Sequence, residues 1–195
     1  MSVNSHTETQ RGREPHLGPR NGRDRPGSTR LVFINSIDEA SRYAVSVRAG
    51  DLCIALAPNV RSYLLKKGIT AEDTTRYFTN ASHENALLKS KEIVDWIRGR
   101  VDLADRSTNI RSAYTDLLVF WARLAAHNFI WTTEIILNAI EAHLPGSICA
   151  PLSGSSVCHS LSIESREKYL GLIAMSIAAY KGISFEDLTA GERST

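Results

Sequence analysis

Three polar steps in this 195-residue sequence are of the types that hold a phosphate or a sugar hydroxyl. Asn35 and Ser36 follow the apolar run Leu31 to Ile34, Asn59 follows Leu52 to Ala57 across Pro58, and Ser153, Gly154 and Ser155 follow the segment SICAPL. Asn35, Ser36 and Asn59 stand where helical patterns begin. Free backbone N–H groups at a helix N-terminus attract anions, and side-chain oxygens or amides beside them add hydrogen bonds. The same residues at the same positions also serve simply as helix caps, and the spacing is compatible with either role.

Other chemistry is poorly represented. SGSSVC, with Ser155 at its centre, departs from the G-x-S-x-G elbow of hydrolases because Val157 replaces the second glycine. Cys158 and His159 are chain neighbours, whose side chains point apart, and so do not make a nucleophile–base pair. Neither G-x-G-x-x-G nor G-x-x-x-x-G-K-[ST] occurs, and there is no H-E-x-x-H or paired Cys-x-x-Cys. No catalytic residue is assigned, and neither a cofactor nor a metal is expected. His127 and His143 fall within helical patterns and read as partly buried or solvated side chains.

The elements that must position these residues are legible from periodicity. RLVFINS reads as a strand ending in a tight turn, and Ser36 with Glu39 three residues later forms a capping-box pattern opening a helix that Gly50 stops. DLCIALAPNVRSYLLKKG repeats the design, with Asn59 as the expected cap and Gly68 as the stop. Two such units in succession predict a parallel βαβ arrangement. From Thr70 to Leu144 the pattern is helical throughout: TAEDTTRYF reads as a short capped helix, Leu87, Leu88, Ile93, Trp96, Ile97 and Val101 as one apolar face, and Ile110 to His143 as apolar on several faces. The three tryptophans, Trp96, Trp121 and Trp131, read as packing residues. SICAPL is a third strand that Pro151 ends, IESREKYLGLIAMSIAAYKG a helix that Gly182 ends, and ISFED a fourth short strand. The expected fold is therefore α/β and Rossmann-like: a short parallel sheet of three or four strands flanked by helices, with a helical insert between the second and third strands. If the second and third strands flank the first, the three polar steps line one crevice at the carboxyl ends of the strands.

Composition bounds the rest. The length suits one domain, expected over 30–190. Residues 1–29 are dense in Arg, Gly and Pro with no apolar run, the composition of a disordered tail. The formal net charge of +2 is small and concentrated in Met1 to Arg30, where Arg11, Arg13, Arg20, Arg23, Arg25 and Arg30 outnumber Glu8, Glu14 and Asp24. This gives no ground for a specific nucleic-acid partner. No stretch is apolar enough to be a transmembrane segment, since Arg123 interrupts the nearest candidate. Cys53, Cys149 and Cys158 are an odd set without metal-ligand spacing, which fits a reducing, cytoplasmic setting.

From Leu31 to Leu188, the order of RLVFINS, DLCIALAPNVRSYLLKKGITAEDTTRYF, a Trp-containing helical insert and EKYLGLIAMSIAAYKGI resembles the N-terminal domain of bacterial surface-carbohydrate and capsule biosynthesis proteins, a glycosyltransferase-like family. The carrying features are an early strand, an L..G helix, a T.ED.. turn and a helix ending in Lys181, Gly182 and Ile183. The resemblance implies an acceptor-type Rossmann-like half of a polysaccharide transferase. Its partners would be a carbohydrate or lipid-linked acceptor and a separate chain carrying the nucleotide-sugar-binding domain, because this sequence stops at Thr195. The alternative is a non-catalytic Rossmann-like interaction or regulatory module.

Overall fold

A computed structural model describes residues 29–104, 109–152 and 166–190. The tail expected over residues 1–29 therefore lies outside the described residues except for Thr29. Among the described residues five strands form one all-parallel sheet: β1 Arg30–Ile34, β2 Asp51–Ala55, β3 Ala71–Asp73, β4 Ser147–Ala150 and β5 Ser184–Asp187, in the spatial order β3-β2-β1-β4-β5. Helices α1 Ile37–Ser46, α2 Pro58–Lys66, α3 Asn80–Ala104, α4 Asn109–His143 and α5 Arg166–Lys181 connect and cover them.

Alternation along the strands sorts the core into two layers. Val32, Ile34, Cys53, Ala55 and Cys149 pack with Ala40 and Tyr43 of α1 and Val60 and Leu64 of α2. Leu31, Phe33, Ile54 and Ile148 pack with Ile135, Ile136, Ala139 and Ile140 of α4 and Leu170, Ala174 and Ala178 of α5. Parallel strands take right-handed crossovers, so a chain that runs one way from β1 and then returns to extend the sheet on the other side puts its helices on opposite faces. The result is a three-layer, Rossmann-like α/β fold.

The sheet has more strands than the three or four expected, and the unexpected one lies in TAEDTTRYF. Instead of a short helix, Ala71–Asp73 pairs with Cys53, Ile54 and Ala55, and only Thr74–Arg76 makes a helical turn, capped by Asp73. Arg61 holds this edge by donating Nε–H to the Ala71 carbonyl at 3.2 Å and pairing with Asp73 at 3.0 Å. Backbone pairing with β2 outweighs the local helical signal of a three-residue segment. The helical insert consequently falls between the third and fourth strands in chain order.

That insert, α3 and α4, is an antiparallel pair. Ser82, Ala86, Ser90 and Val94 are the buried positions of α3, four apart, whereas Leu87, Leu88, Ile93 and Trp96 are exposed. Of the expected apolar face, Ile97 is half-buried and the Val101 side chain lies outside the described residues, while the other four positions yield the contact to a stripe rich in small side chains. Trp96 and Trp121 are likewise exposed, and of the three tryptophans only Trp131 packs against the core. A strand of four or five residues spans about 17 Å, whereas the 35 residues of α4 span about 52 Å. Among the described residues, the α4 side chains that join the core under the sheet run from Trp131 to Ile140, in its second half.

Candidate functional site

The strand order reverses between β1 and β4, which places the crevice of an open parallel sheet at the carboxyl ends of those two strands. On the β1 side, Ser36 is the N-cap of α1. Its Oγ accepts the Glu39 N–H at 3.2 Å, and the Glu39 carboxylate accepts the N–H groups of Ser36 at 3.1 Å and of Asn35 at 2.7 Å. The capping box read from the sequence is present, and it reaches one residue further than expected. Glu39 is buried, 6% exposed. The backbone donors that would cradle a phosphate at this turn already hold an internal carboxylate. The Asn35 side chain, half-buried, makes no hydrogen bond among the described residues.

Asn59 does not do what its position suggested. Helix α2 begins at Pro58, with Ala57 as an N-cap that lends no side-chain bond, because proline's fixed φ suits the first helical position and moves the start one step upstream. Asn59 sits inside the first turn, exposed, with Oδ1 accepting the Val60 N–H at 2.9 Å. Ser153, Gly154 and Ser155 lie outside the described residues. The structure therefore brings Asn35 and Ser36 to the switch point and puts Asn59 after the neighbouring strand β2.

The β4 side is closed by groups that periodicity did not single out. Asp187, at the end of β5, accepts N–H bonds from Leu152 and Thr189, both at 2.9 Å, while the Thr189 hydroxyl donates to the Leu152 carbonyl at 2.9 Å. Helix α5 presses on this exit at Gly171, where a Cβ would stand 2.2 Å from the Pro151 carbonyl oxygen.

At the opposite, amino-terminal end of the strands, Arg30 forms a bidentate pair with Asp51, Nε to Oδ1 at 2.8 Å and Nη2 to Oδ2 at 2.7 Å, and reaches Glu186 at 3.0 Å. The side chains of Arg30 and Asp51 are 8% and 2% exposed. Burial alone would raise the Asp51 carboxyl, but hydrogen bonds from Arg30, the Arg48 N–H and Tyr43 outweigh it and hold Asp51 below the usual carboxylate range. Arg30, counted in the sequence with the charges of the leader, is in fact the first residue of β1. A signal was available: Arg30, Val32 and Ile34 share one face of β1, and Asp51, Cys53 and Ala55 share the same face of β2 in register.

A third polar cluster ties β3 to α4. The Tyr77 hydroxyl bonds both the Glu72 carboxylate and His143 Nε2, the latter at 2.7 Å, and Asn138 donates to the Tyr77 carbonyl at 2.7 Å. Tyr77 is 2% exposed, and this cluster fastens the insert to the sheet. Among the described residues no group of three or more His, Cys, Asp or Glu is placed to hold a metal ion, and no helix is long and apolar enough to cross a membrane.

Cys53 and Cys149 are buried on the α1–α2 face of the sheet. Burial, helped by the Asp51 charge, pushes the Cys53 thiol up to about 12 and, with Glu186 opposing Arg30, the Cys149 thiol up to about 11. A thiol reagent needs the thiolate and access to it. Iodoacetamide at pH 8 is expected to leave both cysteines unmodified in the native protein and to alkylate both after unfolding, as read by peptide mass spectrometry. Native-state labelling of either would show that these strands are not sealed.

No protein-family model matches the chain, and no curated protein or solved structure is significantly similar to it. What the fold and the crevice define is a class: an α/β domain of Rossmann-like strand order whose first strand-to-helix turn is filled by its own glutamate.

Proposed function

We propose that this domain works in association with a second protein and holds no nucleotide at its own switch point. The observation that carries the reading is Glu39, whose carboxylate occupies the Asn35 and Ser36 N–H groups. The transferase form of the proposal, which rests on the resemblance of Leu31 to Leu188 to surface-carbohydrate proteins, is an acceptor-type half that needs a separate chain to supply the nucleotide sugar. A filled phosphate turn is compatible with that half, because the donor is gripped by the other domain and the transition state is stabilised from both sides. The second form is a non-catalytic interaction module, favoured by the exposed Leu117, Leu118, Phe120 and Trp121 of α4.

Calorimetric titration of the purified chain with CDP-, CMP- and UDP-linked sugars is the test, and no binding at micromolar concentration is expected. Stoichiometric binding to the unaltered chain would overturn the proposal. Glu39→Ala serves as the internal control: it empties the turn, costs about 1–2 kcal/mol of stability as two buried N–H groups lose their acceptor, and makes the melting temperature rise with added inorganic phosphate where the wild type does not respond. Turnover appearing only when a nucleotide-sugar-binding chain is added selects the transferase form.

A further inference from the structure

We propose that His83 and His127 form an acid-sensitive latch between α3 and α4: neutral, the two rings pack together and hold the insert closed, and acid parts them and lets α3 come away. This rests on the insert alone and stands whichever form of the function above holds. The rings meet in a T-shaped contact across the two helices, with centroids 6.0 Å apart and planes at 84°. His83 also packs edge-on against Phe78 at 6.0 Å, and Phe78 lies 5.6 Å from Trp131, so the pair closes a small aromatic cluster that bridges the start of α3 to α4. Nδ1 of His127 is shielded from solvent and has no hydrogen-bond partner. A neutral imidazole with its proton on Nε2 leaves only a lone pair at that shielded atom. An imidazolium donates from both nitrogens, so acid puts an N–H there with no acceptor to receive it, and the cation loses its hydration.

The neighbouring charges add to that cost. Among the described residues the charged groups that act on His127 are His83, facing it from α3, and Arg123, one turn back on its own helix, and both oppose a further positive charge. Glu134, two turns further along α4, is already engaged by Asn85 at 2.6 Å and Lys89 at 4.0 Å. Burial first, then His83 and Arg123, hold His127 below its ordinary value of about 6.5. A histidine that folding keeps neutral binds fewer protons native than unfolded, so the closed state is complete above that value and weakens as pH falls from it toward the folded one. Carboxylates titrate lower, near pH 4, and leave this window to histidine. What opens is set by packing. The seam of α3 is Ser82, Ala86, Ser90 and Val94, mostly small side chains that bury little apolar area, and such contacts open before a core does. Asn138 ties the start of the helix by donating to the Tyr77 carbonyl at 2.7 Å and to Ser82 Oγ at 3.1 Å, so release runs from His83 outward.

NMR of the full chain tests the latch directly. Histidine ring C–H signals followed from about pH 8 to pH 5 are expected to place the His127 midpoint below about 6.5. His83→Gln, at an exposed position, should move that midpoint upward because one opposing charge is gone. Amide exchange at Ala86 to Val94, corrected for intrinsic rates, should quicken about tenfold for each pH unit by which the native midpoint lies below the unfolded one. It should stay faster than exchange in β1 throughout, as an opening smaller than global unfolding requires. His127→Gln should remove this pH dependence. A His127 midpoint at or above its ordinary value would overturn the proposal, as would α3 exchange that is flat with pH or no faster than that of β1. So would a His127 midpoint unmoved in His83→Gln, a result that does not depend on how His127→Gln folds.

Discussion

Asp51→Ala is expected to cost about 3–5 kcal/mol of unfolding free energy, because it strands a buried guanidinium. Arg30, 8% exposed at its side chain, gives two of its hydrogen bonds to Asp51 and keeps only Glu186 and a 3.5 Å contact with the Ser46 carbonyl when that carboxylate is gone. Glu186 cannot fully compensate, since it is shared with the Arg48 guanidinium at 2.9 Å. The loss has a pH signature. The folded Asp51 carboxyl sits below its ordinary value, so its contribution is complete above the unfolded value of about 3.9 and disappears as pH falls through the folded one. The gap between wild type and variant should be widest at neutral pH and should narrow steadily below pH 4. Urea denaturation at a series of pH values measures both features. A loss under about 1 kcal/mol at pH 7, or a gap that widens in acid, would mean that the pair is a surface decoration.

Gly171→Ala should destabilise the domain by about 2 kcal/mol although alanine is the better helix former. The new methyl would lie 2.2 Å from the Pro151 oxygen, 2.8 Å from its carbonyl carbon and 3.1 Å from Leu152 Cα. These are backbone atoms, so relief requires α5 to lift off the end of β4, at the upper end of the roughly 1–3 kcal/mol usual for overpacking. Helix propensity returns only about 1 kcal/mol. Gly99 in α3 is the matched control, with no atom within 4 Å of its would-be Cβ. There the propensity gain of about 0.5–1 kcal/mol stands alone, and Gly99→Ala should stabilise. With roughly 2–4 °C per kcal/mol for a domain of this size, the two variants should melt on opposite sides of the wild type. A Gly171→Ala protein at or above the wild-type melting temperature would show that α5 does not approach β4 this closely.

Much of this architecture was legible in the residues. The strand at Leu31 to Ile34, the Ser36–Glu39 capping box, the strand end at Pro151 and the closing strand in ISFED appear where periodicity put them, and the strand expected over Leu52 to Ala57 is present but ends at Ala55. Each depends on neighbours in the chain, so a local pattern suffices. Segments whose local pattern misleads are those in which distant atoms cast the deciding vote. Ala71–Asp73 has a helical signature but pairs with β2, and Leu87, Leu88 and Trp96 look like a core face but yield it to Ser82, Ala86 and Ser90.

Sequence alone determined the class of fold: β-strand and helix patterns in alternation, turn residues between them, and no motif for a nucleotide, a metal or a nucleophile. Tertiary structure decided everything that requires two remote segments to meet. It set the strand order that places the crevice between β1 and β4, joined Arg30 to Asp51 and Glu186 from three different strands, and brought Gly171 against Pro151. It also showed that the Glu39 carboxylate serves Asn35 as well as Ser36, which fills the turn a phosphate would use. The physical reason is range: capping and periodicity act within a turn or two of chain, whereas ion pairing, close backbone contact and strand register depend on distances that only the folded chain defines.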